Sequence, residues 1–144
     1  TEHPPVPVRS MIANLNVDMI GRNAPDSIAV VGQEYSSLGT TLRQVSARRS
    51  GLGLTVVGDL WPGEGFFFRS DQLNFARKEV PAVFFFAGTH ADYHRPSDDV
   101  ELIDADKAAR VARLIFFTAA TLAASADPPM WHPDKLAEVR RLTR

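Results

Sequence analysis

Runs of apolar residues divide the chain into four short strand-like segments. They occupy residues 11–20, 27–32, 54–57 and 80–86. In the first segment, the alternation places Leu15 and Val17 on one side and Asn16 and Asp18 on the other. The last segment is a continuous apolar run, which fits a central parallel strand that is buried on both faces.

Helical spacing of apolar residues follows and separates these strands. It predicts helices over residues 38–49, 72–78, 104–124 and 133–142. Ser36 or Ser37 is placed to cap the first helix, and Ser70 or Asp71 the second. Asp104 is placed to cap the third, whose apolar face comprises Val111, Leu114, Ile115, Thr118 and Leu122. We expect the fourth helix, which is basic, to be exposed or docked on a partner. The strand-then-helix order predicts a layered α/β fold.

Three consecutive phenylalanines, Phe66, Phe67 and Phe68, end a loop that is rich in glycine. Such a cluster is usually part of a core, because each ring buries a large area. The alternative is one wall of an apolar substrate pocket. Gly51 and Gly53 follow the first helix, and this position indicates the end of a helix rather than a phosphate-binding loop.

Composition limits the classes of function. The chain has 144 residues, a formal net charge of -1 and no cysteine. This charge gives no sign of a nucleic acid or an anionic membrane as partner. No apolar run reaches the roughly 18 residues of a transmembrane helix. Without cysteine, any zinc ion has to be bound by His, Asp and Glu, the ligands typical of catalytic sites.

The loop over residues 87–99 concentrates the ionisable side chains, with two histidines, a tyrosine and three aspartates. Sites in open α/β sheets lie beyond the carboxyl ends of strands. We therefore expect a site here, to which Asp18 contributes from the end of the first strand; the alternative is that Asp18 is only a turn residue. His90 and His94 have the spacing of helical zinc ligands, but the glycine and proline in the loop disfavour a helix. We treat that spacing as a coincidence.

Several motifs occur in a characteristic order along the chain. They are Asn16-Val17-Asp18, Arg69-Ser70-Asp71, Phe75-Ala76-Arg77, the apolar run 81–86, Tyr93-His94-Arg95-Pro96-Ser97-Asp98 and Ile103-Asp104. In this order they resemble the carboxyl-terminal half of the catalytic domain in the M28 family of zinc peptidases, over about residues 11–124. One departure is Gln72, where many members carry a histidine.

The resemblance implies a three-layer α/β/α fold with a mostly parallel, mixed sheet, as in zinc exopeptidases. It also implies a site for two zinc ions, with Asp18 and His94 as metal ligands. Tyr93 matches the catalytic tyrosine that stabilises the tetrahedral oxyanion. Asp71 and Asp98 take structural or supporting roles, with Asp71 capping its helix and bracing the site.

The resemblance further implies that the site is incomplete within this chain. In the family, the other ligands and the general base lie upstream of the Asn-x-Asp strand. Few residues precede Asp18 here, and Glu2 and His3 lack the expected context. We therefore expect residues 1–144 to be one domain, the carboxyl-terminal part of an M28-like peptidase domain, with a loop over 1–10 and a tail helix over 126–144.

The expected function is zinc-dependent hydrolysis of peptide substrates, as an aminopeptidase, with this chain supplying only part of a two-zinc site. The isolated chain should bind zinc weakly or not at all and should not hydrolyse peptides. Its exposed sheet edge should recruit the missing amino-terminal half or a second copy of the chain. The full-length protein is expected to be exported, to the periplasm or outside the cell.

Two alternatives stay open. The first is a non-peptidase relative of the same fold, such as a glutaminyl cyclase or a receptor-type binding domain, because a fold does not fix its chemistry. The second is an α/β domain in which Tyr93 and His94 merely pack a loop.

Overall fold

Four strands form a single mixed sheet in the computed structural model, which describes residues 3–143. The strands are β1 (Asn14–Asp18), β2 (Ser27–Val31), β3 (Thr55–Val57) and β4 (Ala82–Phe86), in the spatial order β1-β4-β2-β3. β1 runs parallel to β4, and β2 runs parallel to β3, whereas β2 and β4 are antiparallel. The two edges of the sheet are therefore β1 and β3.

Helices cover both faces of this sheet. They are α1 (Leu38–Arg48), α2 (Gln72–Ala76), α3 (Ala105–Ala123) and α4 (Pro133–Leu142). α1 and α3 pack on one face, and α2 and α4 lie on the other. The predicted three-layer α/β/α fold is thus confirmed. No helix within residues 3–143 combines the length and the apolar character that crossing a membrane requires.

β4 is one of the two inner strands, and all five of its residues are buried. Val83 and Phe85 face α1 and α3, whereas Phe84 and Phe86 belong to the aromatic cluster on the other face. The prediction that β4 has parallel neighbours holds only for β1. Only residues 19–26 connect β1 to β2, and a parallel return would need a crossover of about a dozen residues. β2 therefore runs antiparallel to β1, and so also to β4, which is parallel to β1.

The predicted helix caps differ in outcome. Asp104 caps α3 as predicted, since its carboxylate accepts a hydrogen bond of 2.8 Å from the backbone N–H of Lys107. The prediction that Asp71 caps α2 is wrong, because its side chain makes no capping bond. Asp71 already has helical backbone angles (φ -63°, ψ -26°), whereas a capping side chain needs an extended backbone.

α4 has the predicted bounds but only in part the predicted surroundings. Val139 is buried in the chain's own aromatic cluster, with Tyr35 and Phe67. The Trp131 indole N–H also donates to the carbonyl oxygen of Glu79, and Arg140 pairs with the Glu79 carboxylate. The expectation of a helix that is exposed or docked on a partner therefore holds only in part, because its outer face is exposed but its inner face packs on the chain's own sheet.

Lys107 is a buried cation on the inner face of α3, with only 1% of its surface exposed. Its Nζ donates a hydrogen bond of 2.5 Å to the carbonyl oxygen of Arg22, in the turn after β1. Burial lowers the pKa of Lys107, because the ammonium group has lost its water. The Asp104 carboxylate opposes this shift.

The lowered pKa of Lys107 predicts how stability depends on pH. Between that pKa and the value of about 10.4 for an unfolded lysine, the unfolded chain binds more protons than the folded chain, so stability rises with pH. Replacing Lys107 with methionine removes this contribution. We expect the unfolding free energy of the wild type to rise relative to Lys107→Met as the pH increases.

Urea unfolding from about pH 7 to 10 measures this difference. Lys78→Met is the matched control, because Lys78 is exposed in the turn after α2. Parallel pH profiles for the wild type and Lys107→Met would contradict the prediction.

Candidate functional site

The parallel pairing of β1 and β4 brings the predicted site residues to one end of the sheet. Asp18, the last residue of β1, lies opposite Phe86, the last residue of β4. The chain leaves β4 through Ala87 and Gly88 into the loop that contains Tyr93 and His94. At Gly88, φ is 95° and a Cβ atom would lie 2.6 Å from the Trp61 ring, so only glycine fits this exit.

Asp18 and Tyr93 line the same small cavity, of about 90 Å³, whose walls include Phe66 and Phe86. Tyr93 and Phe66 also line a neighbouring cavity of about 300 Å³ together with Arg69. The two interpretations of the phenylalanine cluster therefore apply to different rings. Phe67 is buried in the core, whereas Phe66 forms an apolar wall beside Tyr93.

His94 is exposed, and its ring stacks on Tyr93 with the centroids 3.9 Å apart. Its backbone is left-handed, with φ of 57°. Met19, directly after Asp18, and Asn23 share this conformation, with φ of 55° and 61°. Such angles cost non-glycine residues roughly 1–2 kcal/mol each. They persist where the surrounding structure enforces them, and they tend to cluster at functional sites.

The described residues do not by themselves make a zinc site. Nowhere in residues 3–143 do three or more His, Asp or Glu side chains lie together as a metal needs. Asp18 and His94 are both exposed, and zinc takes about four ligands. Glu2 lies outside the described residues. The assignment of Asp18 and His94 as ligands therefore stays a prediction.

Arg22 ties the loop to the turn that follows β1. One Nη atom lies 2.8 Å from Oδ2 of Asp92, and the other pairs with Oδ1 of Asp98. Ser97 donates a further hydrogen bond, of 2.8 Å, to Asp92. The bonds from Ser97 and from Arg22 hold the pKa of Asp92 below its usual range. Asp98, for which the sequence predicts a supporting role, thus pairs with a cation that the sequence analysis did not single out.

The turn itself is held from two sides. The Asn23 amide donates hydrogen bonds to the carbonyl oxygens of Ala87 and Thr89, at 2.9 and 3.1 Å. On the inner side, buried Lys107 donates to the carbonyl oxygen of Arg22. The turn after Asp18 and the start of the loop are therefore joined by backbone-directed bonds as well as by ion pairs.

His90 supports the loop from inside. Its side chain is 6% exposed, and its Nε2 lies 3.7 Å from Oδ2 of Asp98. Its Nδ1 is buried without a hydrogen-bond partner among the described residues. His90, Asp18 and Asp98 line another cavity, of about 530 Å³, whose lining does not include Tyr93. The segment forms turns rather than a helix, as predicted from its glycine and proline.

Gln72, the departure from the family motif, has a structural role. It is fully buried, and its Oε1 accepts a hydrogen bond of 2.8 Å from the Asn16 amide. Its Nε2 donates to the carbonyl oxygens of Phe66 and Phe67, at 3.0 and 2.9 Å. Gln72 thus connects β1, two residues before Asp18, to the turn that carries the Phe66 wall. Asp71, by contrast, is exposed at the start of α2.

Sequence reasoning missed Arg22, Asn23 and Lys107 and dismissed His90. Only Lys107 had a local signal, because it lies four residues before Val111 and therefore on the apolar face of α3. A lysine on such a face needs a buried hydrogen-bond acceptor, and Arg22 supplies it.

A comparison with known proteins identifies the family. The profile of peptidase family M28 matches residues 1–119 of the 144-residue chain. No curated protein and no solved structure matches the sequence. The match covers most of the chain, including β1, β4 and the loop, and the family is one of metal-dependent peptidases. The chain therefore belongs to peptidase family M28.

Proposed function

We propose that this chain supplies one side of a two-zinc aminopeptidase site. The observation that carries the proposal is that Asp18 and Tyr93 line one cavity at the carboxyl end of the sheet, with His94 stacked against Tyr93. This is the place where α/β sheets hold ligands. Membership of family M28 supports metal-dependent hydrolysis of peptide bonds.

Each residue has a proposed role. Asp18 and His94 are metal ligands, and both are exposed at the end of the sheet where a ligand from elsewhere has access. The Tyr93 hydroxyl donates a hydrogen bond to the carbonyl oxygen of the scissile bond as negative charge develops there. Phe66 and Phe86 provide an apolar wall beside Tyr93 for a substrate side chain.

The proposed site needs residues that the described part of the chain does not group with Asp18 and His94. We infer that they come from an amino-terminal half of the same domain or from a second copy of the chain. The free edge of β1 supports this, because Ile12 and Val17 are exposed there and an unpaired strand edge recruits another strand. We further propose that the full-length protein is exported.

A binding domain without metal is the second candidate. The observation in its favour is the same lack of a complete ligand group among residues 3–143. Zinc binding and hydrolysis of peptide substrates discriminate between the two functions.

We expect the isolated chain to bind zinc weakly or not at all at neutral pH, because two ligands are too few for a tight site. Titration calorimetry on the chain, on His94→Ala and on the control His132→Ala measures this. His132 is an exposed histidine whose ring nitrogen lies near the carbonyl oxygen of Glu34. One tight zinc that is lost in His94→Ala and kept in His132→Ala would contradict this expectation, and would show that a second copy of the chain or a further ligand completes the site.

We expect Tyr93→Phe to lower kcat about 10²–10³-fold with little change in KM, as loss of one oxyanion donor does. The assay is zinc-dependent hydrolysis of leucyl- and alanyl-p-nitroanilides by the chain in the polypeptide or assembly that supplies the other ligands. Tyr35→Phe is the control, because Tyr35 is the other of the two tyrosines and packs in the core. Absence of hydrolysis by the wild-type assembly would favour the binding domain.

The free β1 edge predicts that the chain self-associates. We expect light scattering to give a mass above the 15.8 kDa of one chain. Val17→Lys should restore a monomer, because a charged side chain on an edge strand opposes pairing. Thr55→Lys, on the other edge strand, should leave association unchanged. A monomeric wild type would contradict this prediction.

A further inference from the structure

Arg22 makes an unusual set of connections for a residue in a turn. Its side chain is 14% exposed, and its guanidinium group pairs with Asp92 and Asp98, which flank Tyr93 and His94 in the sequence. The backbone of Arg22 is fixed as well, since its carbonyl oxygen accepts the bond from Lys107. The backbone of Arg22 is therefore held by Lys107 of α3, while its side chain holds the loop.

The loop has few other means of keeping its shape. Residues 91–99 contain no helix or strand, and nearly all of them are exposed. Within the loop, three backbone hydrogen bonds close successive turns, from the N–H groups of Tyr93, Arg95 and Asp98. His94 keeps a left-handed backbone there, with φ of 57°. A loop of this kind needs an external constraint to remain in one conformation.

We propose that Arg22 is the positioning residue that fixes Tyr93 and His94 relative to Asp18. The proposal rests on the proposed function in treating these three residues as the site. Arg22 lies four residues after Asp18, in the turn that follows β1. Its two ion pairs therefore fix the position of the loop relative to the end of β1. Without them, the start of the loop would remain attached through Asn23, but residues 92–98 would lose both ion pairs and keep the longer contact, of 3.7 Å, between His90 and Asp98.

The chemistry of the pairing requires an arginine. A guanidinium group presents several N–H donors in a fixed plane and can bind two carboxylates at once. A lysine ammonium at this position is a single point charge on a flexible stem, so it would hold one carboxylate well and the other poorly. Arg22→Lys should therefore restore only part of the effect.

The competing explanation is that the two pairs of Arg22 are ordinary surface ion pairs, which contribute little to stability. Two features separate Arg22 from such pairs. Its guanidinium is mostly buried and has two partners, and the backbone beneath it is held by a buried lysine. In contrast, the pair between Arg69 and Glu64 has both side chains more than half exposed.

The test compares wild type with Arg22→Met, Arg22→Lys and the control Arg113→Met in the 144-residue chain without zinc. Arg113 is an exposed arginine on α3. The first readout is NMR-detected exchange of the amide hydrogens of Tyr93, Arg95 and Asp98. The second is the ring-current shift of the Tyr93 and His94 ring protons, which reports the 3.9 Å stacking of these rings.

In Arg22→Met we expect exchange of the loop amides to accelerate about tenfold or more, as loss of a charge-assisted hydrogen bond predicts. The ring-current shifts should shrink, while amides of β4 and α3 exchange as in the wild type. Arg22→Lys should lie between the two, and Arg113→Met should match the wild type. Asp98→Asn should loosen the same amides and add little to Arg22→Met, because both changes remove the pair between Arg22 and Asp98.

Two results would overturn the proposal. In the first, loop exchange and ring-current shifts stay unchanged in both Arg22→Met and Asp98→Asn. In the second, exchange accelerates equally in β4, α3 and the loop, which would show a role in global stability only. Because neither readout involves zinc or substrate, a failure of the Tyr93→Phe assay would refute the proposed function and leave the result on Arg22 intact.

Discussion

The parallel pairing of β1 with β4 is the constraint on which the site depends. β4 is buried on both faces, so the core fixes its position. The register of the β1–β4 pairing then fixes the position of β1. Because the strands are parallel, both end at the same edge, Asp18 opposite Phe86. A one-residue slip of β1 would turn Asp18 and Asn16 to the opposite face and break the Asn16–Gln72 hydrogen bond.

Strand pairing places the ends of two strands but does not fix an irregular loop beyond them. That second task falls to polar side chains in the turn after β1, above all Arg22 and Asn23. The guanidinium group of Arg22 lies where water is partly excluded, so its ion pairs are stronger than on an open surface. The buried Lys107 carries a desolvation cost that lowers its pKa, and it secures the turn from inside. The carbonyl oxygen of Arg22 is thus one direct link between the core and the site.

Local sequence patterns predicted most of the fold and only part of the site. The buried run of β4, the apolar stripe of α3 and the Asp104 cap depend on neighbours within a few residues, so periodicity and capping rules find them. The Asp71 cap failed because capping depends on backbone angles that composition does not reveal. The partners of Arg22 lie 70 and 76 positions away, and such distant pairings leave no local signature. The roles of Asp18, Tyr93 and His94 came from the family resemblance, not from spacing.

The two sides of Asp18 differ in a way that bears on function. On one side, the Asn16 amide donates to Oε1 of Gln72, and the rings of Phe66 and Phe86 pack edge to face. On the other side, Asp18 is exposed, and the free β1 edge and exposed His94 adjoin no third ligand within residues 3–143. Carboxylates and imidazoles left open to solvent contribute little to folding, since folding favours groups that are paired or buried. Under the proposed function, completion of a metal site is therefore a separate event from folding, and it needs groups that β1 and the loop do not provide.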